Sequence, residues 1–287
     1  MTNKPHRSVL YVPATNAKAL AKAGTLACDT VIVDLEDSVA PEAKAEARDA
    51  LVAHFANAPA SQKETVIRVN ALETGWGAAD LAAAASCRPD AVLLPKVETA
   101  DQLRSARAVL DEAGASDAGL WAMIETPLAI VNIKEICAAG SRSDTRLQCL
   151  VAGTNDLAKE TALAGSRARL TMVEWLAPVA IHAKAFRIDI LDGVYNDFRD
   201  VDGFAAECRE GAERGFDGKT LIHPAQIEVA NEAFSPSQKA IEDARAIVAA
   251  FDHPDNAGRG VISLKGKMLE RLHLEAAQRL LVKAASM

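Results

Sequence analysis

The sequence predicts a (β/α)8 TIM barrel, an α/β fold, followed by an extra C-terminal helical segment. Three observations carry this. Short, apolar, β-branched runs recur at residues 8–12, 30–35, 65–69, 91–95, 120–124, 147–152, 188–191 and 220–222. Each run is continuous rather than alternating, as expected of parallel strands covered on both faces. Ala-rich stretches with helical spacing separate them, and strand–helix repeated eight times in 287 residues closes a barrel.

The elements follow in order. The first run leads into Val12-Pro13-Ala14-Thr15-Asn16, not the Gly-rich phosphate turn of a doubly wound sheet, which disfavours that alternative. Residues 41–55 place Ala43, Ala47, Ala50 and Leu51 on one helical face, and Pro41 stands in a first turn that tolerates a missing N–H, as does Pro127. Residues 99–113 repeat the pattern with Leu103, Ala106, Val109 and Leu110, and 168–183 and 201–214 read the same way. After the eighth strand, 224–251 reads as one or two helices, 252–260 as a loop and 261–285 as a helix-rich tail. The expected organisation is a catalytic barrel over 1–230 and a C-terminal helical extension over 231–287, packed on a neighbouring subunit.

Composition narrows the function. Lys and Arg number 32 against 39 Asp and Glu, a net charge of −7, which opposes nucleic acid as the main partner. No apolar run approaches the ~18 residues of a membrane span. Residues 1–7 run toward the first strand without a signal-peptide pattern. The five cysteines are dispersed and form no CxxC, which reads as reduced core thiols in a cytoplasmic protein.

The catalytic end of such a barrel is the C-terminal rim of its strands. The runs end in Glu36-Asp37, in Arg68 and Asn70, in Lys96 and Glu98, in Glu125-Thr126, in Gly153-Thr154-Asn155-Asp156, in Asp192 and in His223. Charged residues abutting buried strands are costly unless paired or liganded, so their concentration on one rim marks a site. Oxygen-only ligands with no His or Cys cluster suit Mg2+ or Mn2+ better than zinc. Arg68 and Lys96 balance the charge and could hold a substrate carboxylate, Arg68 through a bidentate fork. With the Gly153-Thr154 turn, this fits a 2-oxo or 2-hydroxy acid. Several rim residues also have structural readings. His223 is expected to brace the strand-eight loop and Asp34 to be a buried, paired acid. Lys96 either pairs with Glu98 or Glu125 or acts directly. Asp192 either caps its loop or lines the pocket, and the charged tail 265–279 reads as a solvated helix face.

Together, Arg7-Ser8-Val9-Leu10-Tyr11-Val12-Pro13, Val33-Asp34-Leu35-Glu36-Asp37-Ser38-Val39, Arg68-Val69-Asn70, Leu94-Pro95-Lys96-Val97-Glu98, Ile124-Glu125-Thr126, Gly153-Thr154-Asn155-Asp156-Leu157 and Lys219-Thr220-Leu221-Ile222-His223-Pro224 resemble the citrate lyase β-subunit family. That family falls within the HpcH/HpaI aldolase and malyl-CoA lyase superfamily. The resemblance implies a Mg2+-dependent carbon–carbon lyase. Its substrate would be a 3-hydroxy-3-carboxyacyl-CoA such as malyl-, citramalyl- or citryl-CoA, cleaved to an oxo acid and an acyl-CoA by a homotrimer or hexamer. Carried over by residue, it implies Glu125 and Asp156 as metal ligands, Arg68 on the substrate oxygens, Glu36 and Asp37 orienting metal waters and Arg68, and Arg7 and Lys18 near the acyl-CoA. Gly260-Val261-Ile262-Ser263-Leu264-Lys265-Gly266-Lys267-Met268-Leu269-Glu270 resembles a tail motif in which an Asp enters a neighbour's site as acid/base. Here that position is Glu270, whose extra methylene shifts the carboxylate by roughly an ångström, a displacement that can cost ~10²-fold in rate. Two alternatives follow: a malyl-CoA-type thioesterase, or an oxo-acid-binding subunit of a larger lyase complex.

Overall fold

The computed structural model describes residues 4–57, 63–141, 144–285 and 287. Residues 1–3, part of the N-terminal stretch read above, lie outside the described residues. Eight parallel strands close on themselves: β1 (Ser8–Pro13), β2 (Thr30–Asp34), β3 (Glu64–Arg68), β4 (Ala91–Leu94), β5 (Gly119–Ile124), β6 (Leu147–Ala152), β7 (Asp189–Asp192) and β8 (Gly218–Leu221). β8 pairs with β1 through Val9↔Thr220, which completes the ring. The register pairs Asp34 with Arg68 at the C-terminal ends of β2 and β3, so one rung of the ladder already places an acid beside a guanidinium.

The interior is filled by alternate strand residues, among them Val9, Ile32, Val66, Leu93, Trp121, Cys149 and Leu191. The opposite strand faces meet helices, which is why the runs are apolar throughout. Helix Lys44–Asn57 follows a 3-10 turn, Pro41–Ala43, and helix Ala100–Glu112 begins with a capping box of Thr99 and Gln102.

The N-terminal end of the barrel is closed by a polar plug. His6, 3% exposed, lies 2.8 Å from Asp189 through Nδ1 and 2.7 Å from Glu64 through Nε2. Thr30 donates its hydroxyl to the same Glu64 oxygen, and Trp121 meets the imidazole edge-on at 5.0 Å. Burial works against the imidazolium, but the two carboxylates outweigh it and raise the His6 pKa to about 10.

The chain divides into two compact units, His6–Ala233 and, with residues 4–5, Phe234–Met287. In the second unit, helix Gln238–Asp252 packs on helix Arg271–Ala285. Residues 261–270, inside the tail expected to be helix-rich, form an antiparallel hairpin instead, β9 (Val261–Leu264) and β10 (Lys267–Glu270). The cause is local. Lys265 and Gly266 both take positive φ, 50° and 78°, the requirement of a type I′ hairpin turn. Ile262 and Leu269 then share one face and are buried with Phe251.

Candidate active site

The rim is built upward from Arg68. Its Nε and Nη2 donate to the two Asp34 oxygens at 2.7 Å each, and its guanidinium lies 4.8 Å over the Tyr11 ring. Nη1 is 2.8 Å from Glu36 Oε2 and 3.3 Å from Asp37 Oδ2. The bidentate edge expected to hold a substrate carboxylate is therefore committed to Asp34, and Nη1 is the nitrogen turned toward the Glu36–Asp37 turn. Asp34 also accepts the N–H groups of Glu36 and Ser38, so one carboxylate orients both the arginine and the turn. Beside Arg68 its pKa stays below the usual range despite burial.

Glu125, 1% exposed, directly follows β5, and its Oε1 accepts the Lys96 N–H at 2.7 Å. Lys96 presents that N–H from a left-handed backbone, φ 51°, a conformation that costs a non-glycine residue of order 1–3 kcal/mol and clusters at functional sites. The Lys96 ammonium stands 3.9 Å from Asp156 Oδ1. Asp156 lies in the first turn of helix Thr154–Glu160, directly after β6. Gly153, between them, is a steric necessity. A Cβ there would meet Glu125 Cβ at 2.3 Å and Oε2 at 2.6 Å.

The electrostatics are unbalanced. Asp34, Glu36, Asp37, Glu125 and Asp156 gather with Arg68 and Lys96. Burial, aided by neighbouring carboxylates, lifts Glu36 to about 8 and Glu125 to about 7. Lys96 is held above its ordinary value by Asp156 and Glu125 although burial opposes it. The Glu36 Oε2 atom is buried, and its 2.8 Å contact with Arg68 Nη1 is an ion pair without hydrogen-bond alignment. Among the described residues no three His, Cys, Asp or Glu side chains converge on one metal position. A hard cation that keeps waters and takes ligand oxygens needs only one or two carboxylates. Glu125 and Asp156, on a rim with excess negative charge, fit that demand.

Not every expected residue reaches this rim. Lys18 is exposed in the first turn of helix Ala17–Ala23, at the same end of the barrel. Arg7 is not there. It precedes β1 at the opposite end, where its guanidinium and backbone N–H bind Asp29, because a residue before a strand emerges on the N-terminal face. Thr154 packs against Gly193, where a Cβ would meet its hydroxyl oxygen at 2.3 Å. Asp192 is fully buried, clamped by Arg169 and by Lys219 at 2.8 Å, and lines no opening. His223 caps Pro224–Gln226 through Nδ1 and stacks on Phe198 at 4.4 Å. Glu270 is exposed at the end of β10 in the second unit, its N–H donated to His273 Nδ1. The sequence places Asn70 on the rim, but not the Lys44 that bonds it or the Tyr11 ring under Arg68. Nothing in local spacing distinguishes Lys44 from a solvated helical lysine.

Comparison with known proteins places this geometry. The profile of HpcH/HpaI aldolase/citrate lyase matches residues 7–224. A (3S)-malyl-CoA thioesterase of Cereibacter sphaeroides is 44% identical over 280 residues, 98% of this chain and 95% of its own. The mitochondrial citramalyl-CoA lyase of Homo sapiens is 32% identical over 98% of this chain and 86% of its own. Among solved structures, CitE of Mycobacterium tuberculosis in complex with magnesium, acetoacetate and coenzyme A superposes with a TM-score of 0.79. It is 31% identical, with 99% of both chains covered.

Proposed function

Because the chain belongs to the HpcH/HpaI aldolase/citrate lyase family, we propose that it is a Mg2+-dependent carbon–carbon lyase acting on a 3-hydroxy-3-carboxyacyl-CoA of the malyl, citramalyl or citryl type. The observation that carries this is the convergence of Glu125 and Asp156 beside an arginine, on the rim of a barrel whose relatives act on such thioesters.

Glu125 and Asp156 would hold the metal. Mg2+, or Mn2+ in its place, would supply Lewis acidity to the carboxylate and hydroxyl of the substrate. The Lys96 N–H fixes Glu125 Oε1 and leaves Oε2 turned toward the Gly153 turn. The backbone N–H of Thr154 would take the remaining carboxylate oxygen. As the carbon–carbon bond breaks, the substrate hydroxyl gives its proton to water and becomes the oxo group, and Arg68 Nη1 steadies the charge developing on the thioester oxygen. Glu36 and Asp37 keep that nitrogen in place. Glu270 of a neighbouring subunit donates a proton to the acyl-CoA carbon, or removes one in the synthetic direction. Lys18 attracts the CoA phosphates. The assembly is a homotrimer or hexamer in which residues 231–287 pack on a neighbour. The five free cysteines favour the cytoplasm, and among the described residues no helix is long and apolar enough to cross a membrane.

Hydrolysis of the same thioester is the second reading, favoured by the 44% identity to a malyl-CoA thioesterase and by Glu in place of Asp at position 270. The two are separated by products. Incubation with Mg2+ and each thioester should yield oxo acid plus acyl-CoA from a lyase, and free hydroxy acid plus CoA from a thioesterase. Recovery of all three thioesters intact would refute both readings and favour a binding subunit.

A further inference from the structure

The Glu36–Asp37 turn carries two acids between the buried Leu35 and Val39; the Asp37 side chain is 65% exposed, and the Glu36 carboxylate pairs with Arg68. Its backbone is closed by the Val39 N–H on Glu36 O and tied to β3 by the Leu35 N–H on Arg68 O, both at 2.9 Å, and two side chains hold it further. Asp34 takes the N–H groups of Glu36 and Ser38. The carbonyls are taken by a lysine.

Lys44, the first residue of helix Lys44–Asn57, is 5% exposed. Its ammonium donates to Leu35 O at 2.9 Å, to Glu36 O at 2.8 Å and to Asn70 Oδ1 at 2.8 Å. All three of its donors are thus used, and all on neutral oxygens. No carboxylate forms an ion pair with it among the described residues, and burial works to lower its pKa. A buried ammonium without a direct counter-ion is expensive. It is tolerated here because Asp34, Asp80, Glu36 and Asp37 surround it at longer range. Asn70 is itself fixed. Its side chain donates to Leu35 O and to Asp80, which Arg48 holds from the far side. The Trp76 ring covers the ammonium at 5.5 Å.

We propose that Lys44 is a positioning residue for the reaction. From the helical layer it fixes the carbonyls of Leu35 and Glu36, so that Glu36 and Asp37 meet Arg68 at the right place, and its charge offsets part of the acid cluster. This rests on the functional reading above only for its effect on turnover. The hold on the turn stands separately.

The test uses the full chain with Mg2+. In Lys44→Met, hydrogen–deuterium exchange over residues 33–40 should rise at least about tenfold, with the rest of the barrel unchanged. Thioester turnover, kcat, should fall about 100-fold, the scale of an ångström-sized misplacement. KM and calorimetric Mg2+ affinity should stay within about threefold, because Glu125 and Asp156 are held by other elements. In Lys44→Ala, ethylammonium should restore at least about tenfold of the lost activity in a saturable way, as a mobile replacement for the missing group. Unchanged exchange over 33–40, or no response to ethylammonium where wild type turns over, overturns the assignment. So does loss of cooperative unfolding in both variants, which would make Lys44 a fold residue. If wild type leaves every thioester intact, the functional reading falls, and the exchange measurement still decides whether Lys44 holds the turn.

Discussion

Arg68 shows how one side chain is fixed before it meets a ligand. Its fork is closed on Asp34, its face lies on Tyr11, and Nη1 remains toward the turn. Lysine could not span both Asp34 oxygens with a planar pair of donors. Arg68→Lys should therefore lower kcat/KM at least about 100-fold and leave Asp34 underbonded. Asp34→Asn should cost about 3–5 kcal/mol in chemical denaturation, the range for breaking a buried ion pair. Glu125→Gln and Asp156→Asn should each abolish calorimetric Mg2+ binding while the far-ultraviolet spectrum stays that of the barrel. A variant pair that still binds Mg2+ like wild type would displace the metal assignment. Glu270→Gln should suppress exchange of the acetyl-CoA methyl protons yet leave Mg2+ binding unchanged.

At the scale of elements, the turn after β6 has almost no steric latitude. Gly153→Ala drives a Cβ into Glu125, and loss of Mg2+ binding with near-native secondary structure is the expected result. The eight strands were legible because parallel strands buried on both faces must be continuously apolar, and the rim acids because they follow those runs directly. The hairpin Val261–Leu264/Lys267–Glu270 was not, since each strand is only four residues long and its signal is the backbone sign at Lys265 and Gly266. Arg7 was placed near the acyl-CoA by family resemblance rather than by its position in the chain, and a residue that precedes β1 emerges at the other end of the barrel. The Arg68–Asp34 pair was half visible, as a buried acid without its partner, because register decides which residues of neighbouring strands face each other. The plug was invisible. His6 finds Glu64 and Asp189, 58 and 183 residues away, and only barrel closure brings them together.

For the whole molecule, the two ends of the barrel have opposite characters. At the N-terminal end His6 is charged in the folded state well above the 6.5 of a free imidazole, to about 10. A raised pKa contributes stability that is full below 6.5 and is lost as pH climbs through 10. The urea midpoint of wild type should therefore fall between pH 7 and pH 10 more steeply than that of His6→Gln, which should already be about 3–5 kcal/mol less stable at pH 7. Parallel slopes would remove His6 from this role. At the other end, acids crowd beyond what Arg68 and Lys96 neutralise, which is stability given up where ligands are met. The sealed base has an evolutionary consequence. A scaffold anchored far from its mouth can absorb destabilising substitutions at that mouth without unfolding. Exchange of one bond-breaking outcome for another on a shared thioester can then proceed by single steps through folded intermediates. A library randomising the rim loops should accordingly retain more soluble variants in wild type than in a His6→Gln background.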